Sequence, residues 1–205
     1  MNNNAITNII RAGFAGWIIF ELLNWAGILD FTLDFTWLGL VVTAVFVWAA
    51  LEIVSARLKK TTNRTLPWIV FFACFFSISF DALGDVAGWY SRFVWYDQVG
   101  HTLGGAMAAL LMFFVLWRLN QAGRIKIGKK LLGFMAITGS AFFGVLYELE
   151  EYLEDVFTGG NRLGSGVDTA NDMMWNTIGA LIVVLIAVKI LRSRHSEEPA
   201  QEIRG

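Results

Sequence analysis

The sequence predicts an all-α polytopic membrane protein, a bundle of about six transmembrane helices with both termini cytoplasmic. Three observations carry that prediction. The 205 residues are 56% hydrophobic and only 16% charged, against roughly 25% charged in an ordinary soluble domain. Six stretches reach or approach the ~20 apolar residues that span bilayer hydrocarbon. Lys and Arg fall almost entirely in alternate connecting segments. The mean hydropathy of +0.56 and the 17 Phe and 9 Trp mean more apolar surface than a soluble core of this length can hide. A net charge of -1 excludes a whole-chain basic footprint for nucleic acid. Cys74, the single cysteine, can make neither an internal disulfide nor a thiolate metal cluster.

The spans read as 12–29, 36–56, 66–83, 100–119, 131–150 and 172–191. The first is expected to stay as a helix and not be cleaved, because residues 1–8 carry no basic side chain, Glu21 interrupts the apolar run, and no small-residue cleavage pattern follows. Glu52, near the inner border of the second, reads as an interfacial charge snorkelling within reach of Arg57. Pro67 can open the third without losing a needed N–H. Gly100 and Gly104, a small-xxx-small pair, are expected to let the fourth pack closely on a neighbour. Residues 1–193 form one transmembrane domain, and 194–205, with Pro199, read as a polar, disordered cytoplasmic tail.

Orientation follows from the basic residues. Arg11 precedes the first helix. Arg57, Lys59, Lys60 and Arg64 join the second to the third, and Arg118, Arg124, Lys126, Lys129 and Lys130 join the fourth to the fifth. Lys189, Arg192, Arg194 and Arg204 end the chain, which leaves only Arg92 and Arg162 for the opposite side. The positive-inside rule then puts both termini in the cytoplasm. Trp25, Trp37, Trp89, Trp95 and Trp175 fall at the outer interface, and Trp68 and Trp117 at the inner one.

The acids then gather outside. Asp81 and Asp85 end the third helix, Asp97 and His101 open the fourth, Glu148 and Glu151 end the fifth, and Asp168, Asp172 and Asn176 open the sixth. Spacings of three or four put each group on about one face of its helix. Carboxylates crowded into a partly dry site must share protons, find cations or bind metal. All nine residues are candidate metal ligands. His101, Asp97, Glu148 and Asp172 are the candidates for acid–base or metal-assisted chemistry, with Asp97 orienting the imidazole. Oxygen-rich ligands with one imidazole suit a divalent cation such as Mg, Mn, Ca, Fe or Zn. Asp30, Asp34, Glu150, Glu154 and Asp155 read as a solvated acidic face. Glu21 reads either as a protonated structural glutamate or as a deep member of the site, and His195 as inert. Gly139-Ser140 does not read as a nucleophile, because Ser140 lies near mid-membrane while His101 is at an outer helix end.

The run Asp81-Ala82-Leu83-Gly84-Asp85, then Tyr96-Asp97-Gln98-Val99-Gly100-His101, then Tyr147-Glu148-Leu149-Glu150-Glu151-Tyr152, then 168–179, resembles the YjdF-type family of bacterial inner-membrane proteins. More distantly, Asp97-x-x-x-His101, Glu148-x-x-Glu151 and Asp172-x-x-x-Asn176-x-x-Gly179 resemble the VanZ-like superfamily. Gln98 and Glu151 stand where that pattern has lysine and glutamine, and Arg162 lies ten residues before Asp172 where about six are expected. The resemblance implies a multi-pass protein of the bacterial inner membrane with an envelope-facing role, and supplies no reaction.

Two functions are expected from these residues. In one, the cluster performs metal-assisted or acid–base chemistry on an envelope lipid or lipid-linked headgroup. In the other, it is the ion or proton site of a transporter or of a non-catalytic membrane factor.

Overall fold

The computed structural model describes residues 3–196, with side chains described for 3–190. Seven helices follow in order: α1 (Asn3–Trp25), α2 (Trp37–Thr62), α3 (Trp68–Val86), α4 (Trp89–Arg92), α5 (Val94–Gln121), α6 (Lys129–Thr158) and α7 (Gly166–Ser196). All but the single-turn α4 are long and apolar enough to cross a membrane. The expected tail at 194–205 falls outside the described residues after Ser196, up to which α7 continues.

Local chemistry explains the helix limits. Thr36 caps α2 by accepting from the Gly39 N–H, and Asn63 closes it in the left-handed region with φ 58. Pro67 precedes α3 in an extended conformation, as expected. At the basic end α1 already opens at Asn3 and not 12, and α2 runs to Thr62 and not 56; the departures that bear on the site lie at the acidic end. Helix α5 begins at Val94 and not near 100, α6 runs to Thr158 and not 150, and α7 opens at Gly166 and not 172. Hydropathy falls where the acids begin, but backbone hydrogen bonding continues until a residue breaks it. Gly159, with φ 74 and its N–H on the Asp155 carbonyl, is where α6 stops. At 30 residues α6 is ~45 Å long, more than the ~30 Å of hydrocarbon requires. Conversely α1 stops at Trp25 and not 29, because Gly27 turns the chain at φ 69.

Apolar packing occupies the basic half of the bundle. Phe14, Ala44, Leu51, Val70, Phe71 and Cys74 form one core among α1, α2 and α3. Ala109, Phe113, Leu132, Ala136, Ala180 and Val184 form another among α5, α6 and α7. Helix α5 joins the halves and packs most extensively on α7. The basic end is tied together by Arg11, whose Nε and Nη2 donate to the two Glu52 oxygens at 2.6 and 2.8 Å, and by Arg124, whose Nε donates to the Thr61 carbonyl at 3.1 Å. Glu52 thus pairs with Arg11 on the neighbouring helix and not with Arg57. Trp48 Nε1 also donates to it, at 3.2 Å.

The close crossing of α5 and α7 uses Gly105 and Gly179, not the Gly100–Gly104 pair. A Cβ on Gly105 would land on the Asn176 backbone, and one on Gly179 on the Thr102 carbonyl. Gly104 meets the Asn176 side chain only at ordinary contact distance, and Gly100 meets the Tyr90 hydroxyl. Gly105→Leu should therefore force the two backbones apart and destabilise the bundle by about 1–3 kcal/mol or more. Gly100→Ala should cost far less, because only a side-chain tip must move. Melting of the two variants in detergent, followed by helical circular dichroism, checks the contrast.

Candidate functional site

The α5–α7 crossing brings two i,i+4 pairs face to face. Asp97 and His101 share one face of α5, and Asp172 and Asn176 one face of α7. His101 Nε2 lies 3.3 Å from Asp97 Oδ1 and 3.6 Å from Asp172 Oδ1. Its other nitrogen, Nδ1, lies 3.3 Å from Asn176 Nδ2. With the amide N–H donating to Nδ1, the imidazole proton sits on Nε2, between the carboxylates. His101 and Asp172 are buried, at 7% and 3% exposure, and Asp172 Oδ1 accepts no hydrogen bond. One ligand atom from each of Asp97, His101 and Asp172 lies within 4.8 Å of the other two. That spread fits donors around one cation at bond lengths of roughly 2–2.6 Å. Asp97, His101 Nε2 and Asp172 would hold such a cation, and Nδ1 would then carry the imidazole proton, which the Asn176 amide, turned to present its oxygen, would accept.

Helix α6 closes the third side. Gly144 approaches Asn176 Nδ2, and Glu148 lies one turn further out on the same α6 face, as Asp172 does on α7. Both Glu148 oxygens are buried without a hydrogen bond. Glu148 stands outside the three-residue ligand set.

A second constellation surrounds Arg162, in the loop between α6 and α7. Asp155 fixes this loop by accepting from the N–H groups of Arg162 at 2.7 Å and Leu163 at 2.9 Å. The guanidinium then donates to Glu151 at 3.2 Å, to Glu154 at 3.0 Å and to the Tyr147 hydroxyl at 2.6 Å, with Asp81 at 3.9 Å. It lies over the rings of Phe35 and Tyr147. Burial alone would lower its pKa, but the oxygens of Tyr147, Asp81, Glu151 and Glu154 outweigh burial and hold Arg162 well above its ordinary value. Tyr90 is pushed well up by burial and by Asp81, so it stays protonated and donates to Asp81 Oδ1 at 2.5 Å. Tyr147 connects the two constellations, since its ring also meets the His101 imidazole edge-on at 5.9 Å.

The nine candidate residues therefore divide. Asp97, His101 and Asp172 form the cation-sized triangle, with Asn176 holding the imidazole and Glu148 one turn along α6 from the glycine that packs on Asn176. Asp81 and Glu151 belong to the Arg162 constellation. Asp85 is an anchor: its Oδ1 accepts from the Phe35 N–H at 2.9 Å and its carbonyl from the Asp34 N–H at 3.3 Å, which holds the loop between α1 and α2. Asp168 is exposed at the rim. Of the acids expected to be solvated, Glu154 is buried and bonded to Arg162 and to Thr36, Asp155 caps the loop, and Asp34 accepts from the Ser91 N–H. For Glu154 and Asp155 the two extra turns of α6 are the reason, since they keep the stripe through Glu151 and Glu154 facing the bundle. Glu21 is fully buried, and neither of its oxygens makes a hydrogen bond. Ser140 donates to the Gly105 carbonyl at 2.8 Å, a bridge between α5 and α6.

A cavity of about 440 Å³ opens beside both constellations. Asp97, His101, Asp172 and Arg162 border its polar end, and the wall continues along Val47, Val54 and Leu111 toward the basic half.

No curated protein and no solved structure matches the chain. The family described as "Predicted membrane protein (DUF2238)" matches residues 13–193, which takes in every residue of the site. By that match, the chain belongs to the DUF2238 family of predicted membrane proteins.

Proposed function

We propose that the protein is a multi-pass protein of the bacterial inner membrane whose acidic end faces the cell exterior, where Asp97, His101 and Asp172 hold a divalent cation and act on the polar head of an envelope lipid or lipid-linked molecule. The carrying observation is the triangle itself: two carboxylates and an imidazole nitrogen within 4.8 Å, two of the three residues buried, at the mouth of a cavity that runs into the apolar bundle. A bound cation would supply Lewis acidity there. Asn176 sets the tautomer of His101, Asp97 and Asp172 flank Nε2, and Tyr147 walls the imidazole. A His101 free of metal carries its proton on Nε2 and could instead give it, as a general acid, to a substrate oxygen beside it. The VanZ-like spacing around Asp97, His101, Glu148, Asp172 and Asn176 supports the same envelope-facing reading.

The transporter reading is the weaker one. An ion path needs polar groups along its length, and beyond the mouth the cavity wall offers no ionised side chain, only the hydroxyls of Thr43, Ser77 and Ser140 and the thiol of Cys74, with Ser140 already donating to the Gly105 carbonyl. Glu21, the deep acid, does not line it.

Thermal melting in detergent tests the proposal. Mg, Mn, Ca or Zn should raise the midpoint by binding linkage, which stabilises the fold by about 2.7 kcal/mol at a hundredfold excess over Kd, and a chelator should reverse it. A midpoint indifferent to all four cations would remove the cation from the proposal. The orientation has its own check. Single cysteines placed near Lys126 in a Cys74→Ser background should be labelled only from the cytoplasm, and those near Gly160 only from outside. The reverse pattern would put the site on the wrong face.

A further inference from the structure

We propose that the cleft between α2 and α6 is a lateral binding site for one acyl chain of an amine-bearing phospholipid, with the ammonium of its head at the acidic mouth. The juxtaposition that carries this is a strongly acidic cavity mouth continuous with an apolar trough open toward lipid. Helices α2 and α6 pack far less closely than α5 and α7. The cavity fills the space between them. On α2 its wall runs through Val42, Phe46, Ala50 and Val54, a stripe at helical spacing that covers ~18 Å of rise. Val42 and Phe46 are themselves exposed, which leaves the trough open at the side of the bundle. Water in such a trough would face almost only hydrocarbon, whereas a lipid chain gains contact along its length.

Charge selects the head. Six carboxylates, Asp81, Asp97, Glu150, Glu151, Asp168 and Asp172, border the cavity, against the imidazole of His101 and one guanidinium. That guanidinium cannot serve as a phosphate receptor, because Arg162 already donates to Glu151, Glu154 and Tyr147. A lipid with only an anionic head would meet uncompensated repulsion. One carrying an ammonium finds carboxylates as partners. The apolar trough carries the chain whether or not a cation occupies the triangle, so this inference deepens the headgroup reading without depending on the metal.

Native mass spectrometry of the full chain in detergent, incubated with equal amounts of palmitoyl-oleoyl phosphatidylethanolamine and palmitoyl-oleoyl phosphatidylglycerol, tests it. The wild type should retain the ethanolamine lipid about tenfold over the glycerol lipid, a difference of ~1.4 kcal/mol. Ala50→Trp and Val54→Trp each fill the trough from a half-buried position, and each should lower that retention about tenfold while leaving the cation-induced rise in melting temperature intact. Equal retention of the two lipids, or unchanged retention in whichever tryptophan variant folds, would overturn the proposal. Loss of the cation response with lipid retention preserved would count against the metal alone.

Discussion

Arg162→Ala should be among the most damaging single substitutions in the chain. The side chain is 4% exposed and is the shared donor to Glu151, Glu154 and Tyr147. Its removal leaves two buried carboxylates on one face of α6, and Asp81 beside them, without the countercharge. Breaking a buried ion pair from one side costs about 3–5 kcal/mol, because the remaining charge has neither water nor partner. The expected result is a large fall in the detergent melting midpoint. Arg162→Lys should recover only part of the loss, since an ammonium keeps the charge but cannot reproduce the fork that reaches Glu151, Glu154 and Tyr147 together. Glu154→Gln in the Arg162→Ala background should regain stability by removing one of the stranded charges. If Arg162→Ala melts like the wild type, the guanidinium is not what holds the acidic ends of α3 and α6 together.

His101→Ala should have the largest effect on cation binding. The imidazole supplies the nitrogen that faces both Asp97 and Asp172, and without it two carboxylates remain, one of them half-exposed. Removing a partner that only orients a ligand costs about 10–100-fold in metal affinity, which is the effect expected for Asn176→Ala. Losing the ligand itself should cost more than that. Equilibrium dialysis with Mn(II) gives both values. Helical circular dichroism should be unchanged for His101→Ala, because the α5–α7 crossing is set by Gly105 and Gly179 and not by the imidazole. Equal Mn(II) affinity in wild type and His101→Ala would place any bound cation elsewhere.

Much of this arrangement was legible from residue spacing. Asp97 with His101 and Asp172 with Asn176 are i,i+4 pairs, so each had to share a helix face, and the apolar runs fixed the number of spanning helices. What spacing could not supply was where the helices end and which faces meet. A hydropathy reading ends α6 at the acids, so Glu154 looked like a surface charge. In the fold the helix continues to Thr158 and turns Glu154 inward onto Arg162. The signal available was Glu151, Glu154 and Asp155 at spacings of three and four, followed by an arginine only seven residues on, within reach of all of them. Asp85 misled for the opposite reason. It sits on α3 among acids, yet its oxygen is used by the Phe35 N–H, a loop contact between positions fifty residues apart that no local pattern announces. Gly100 and Gly104 had the right spacing for close packing, but which glycine meets a backbone depends on the crossing point, and that falls at Gly105 and Gly179.

The most direct test of the cation site is pulsed electron paramagnetic resonance on the detergent-solubilised full chain loaded with one equivalent of Mn(II). The geometry predicts a single bound ion whose echo modulation carries coupling to one imidazole nitrogen, lost in His101→Ala and altered in Asp172→Ala. Bound Mn(II) with no nitrogen coupling, or no saturable binding at all, would contradict a site made by Asp97, His101 and Asp172.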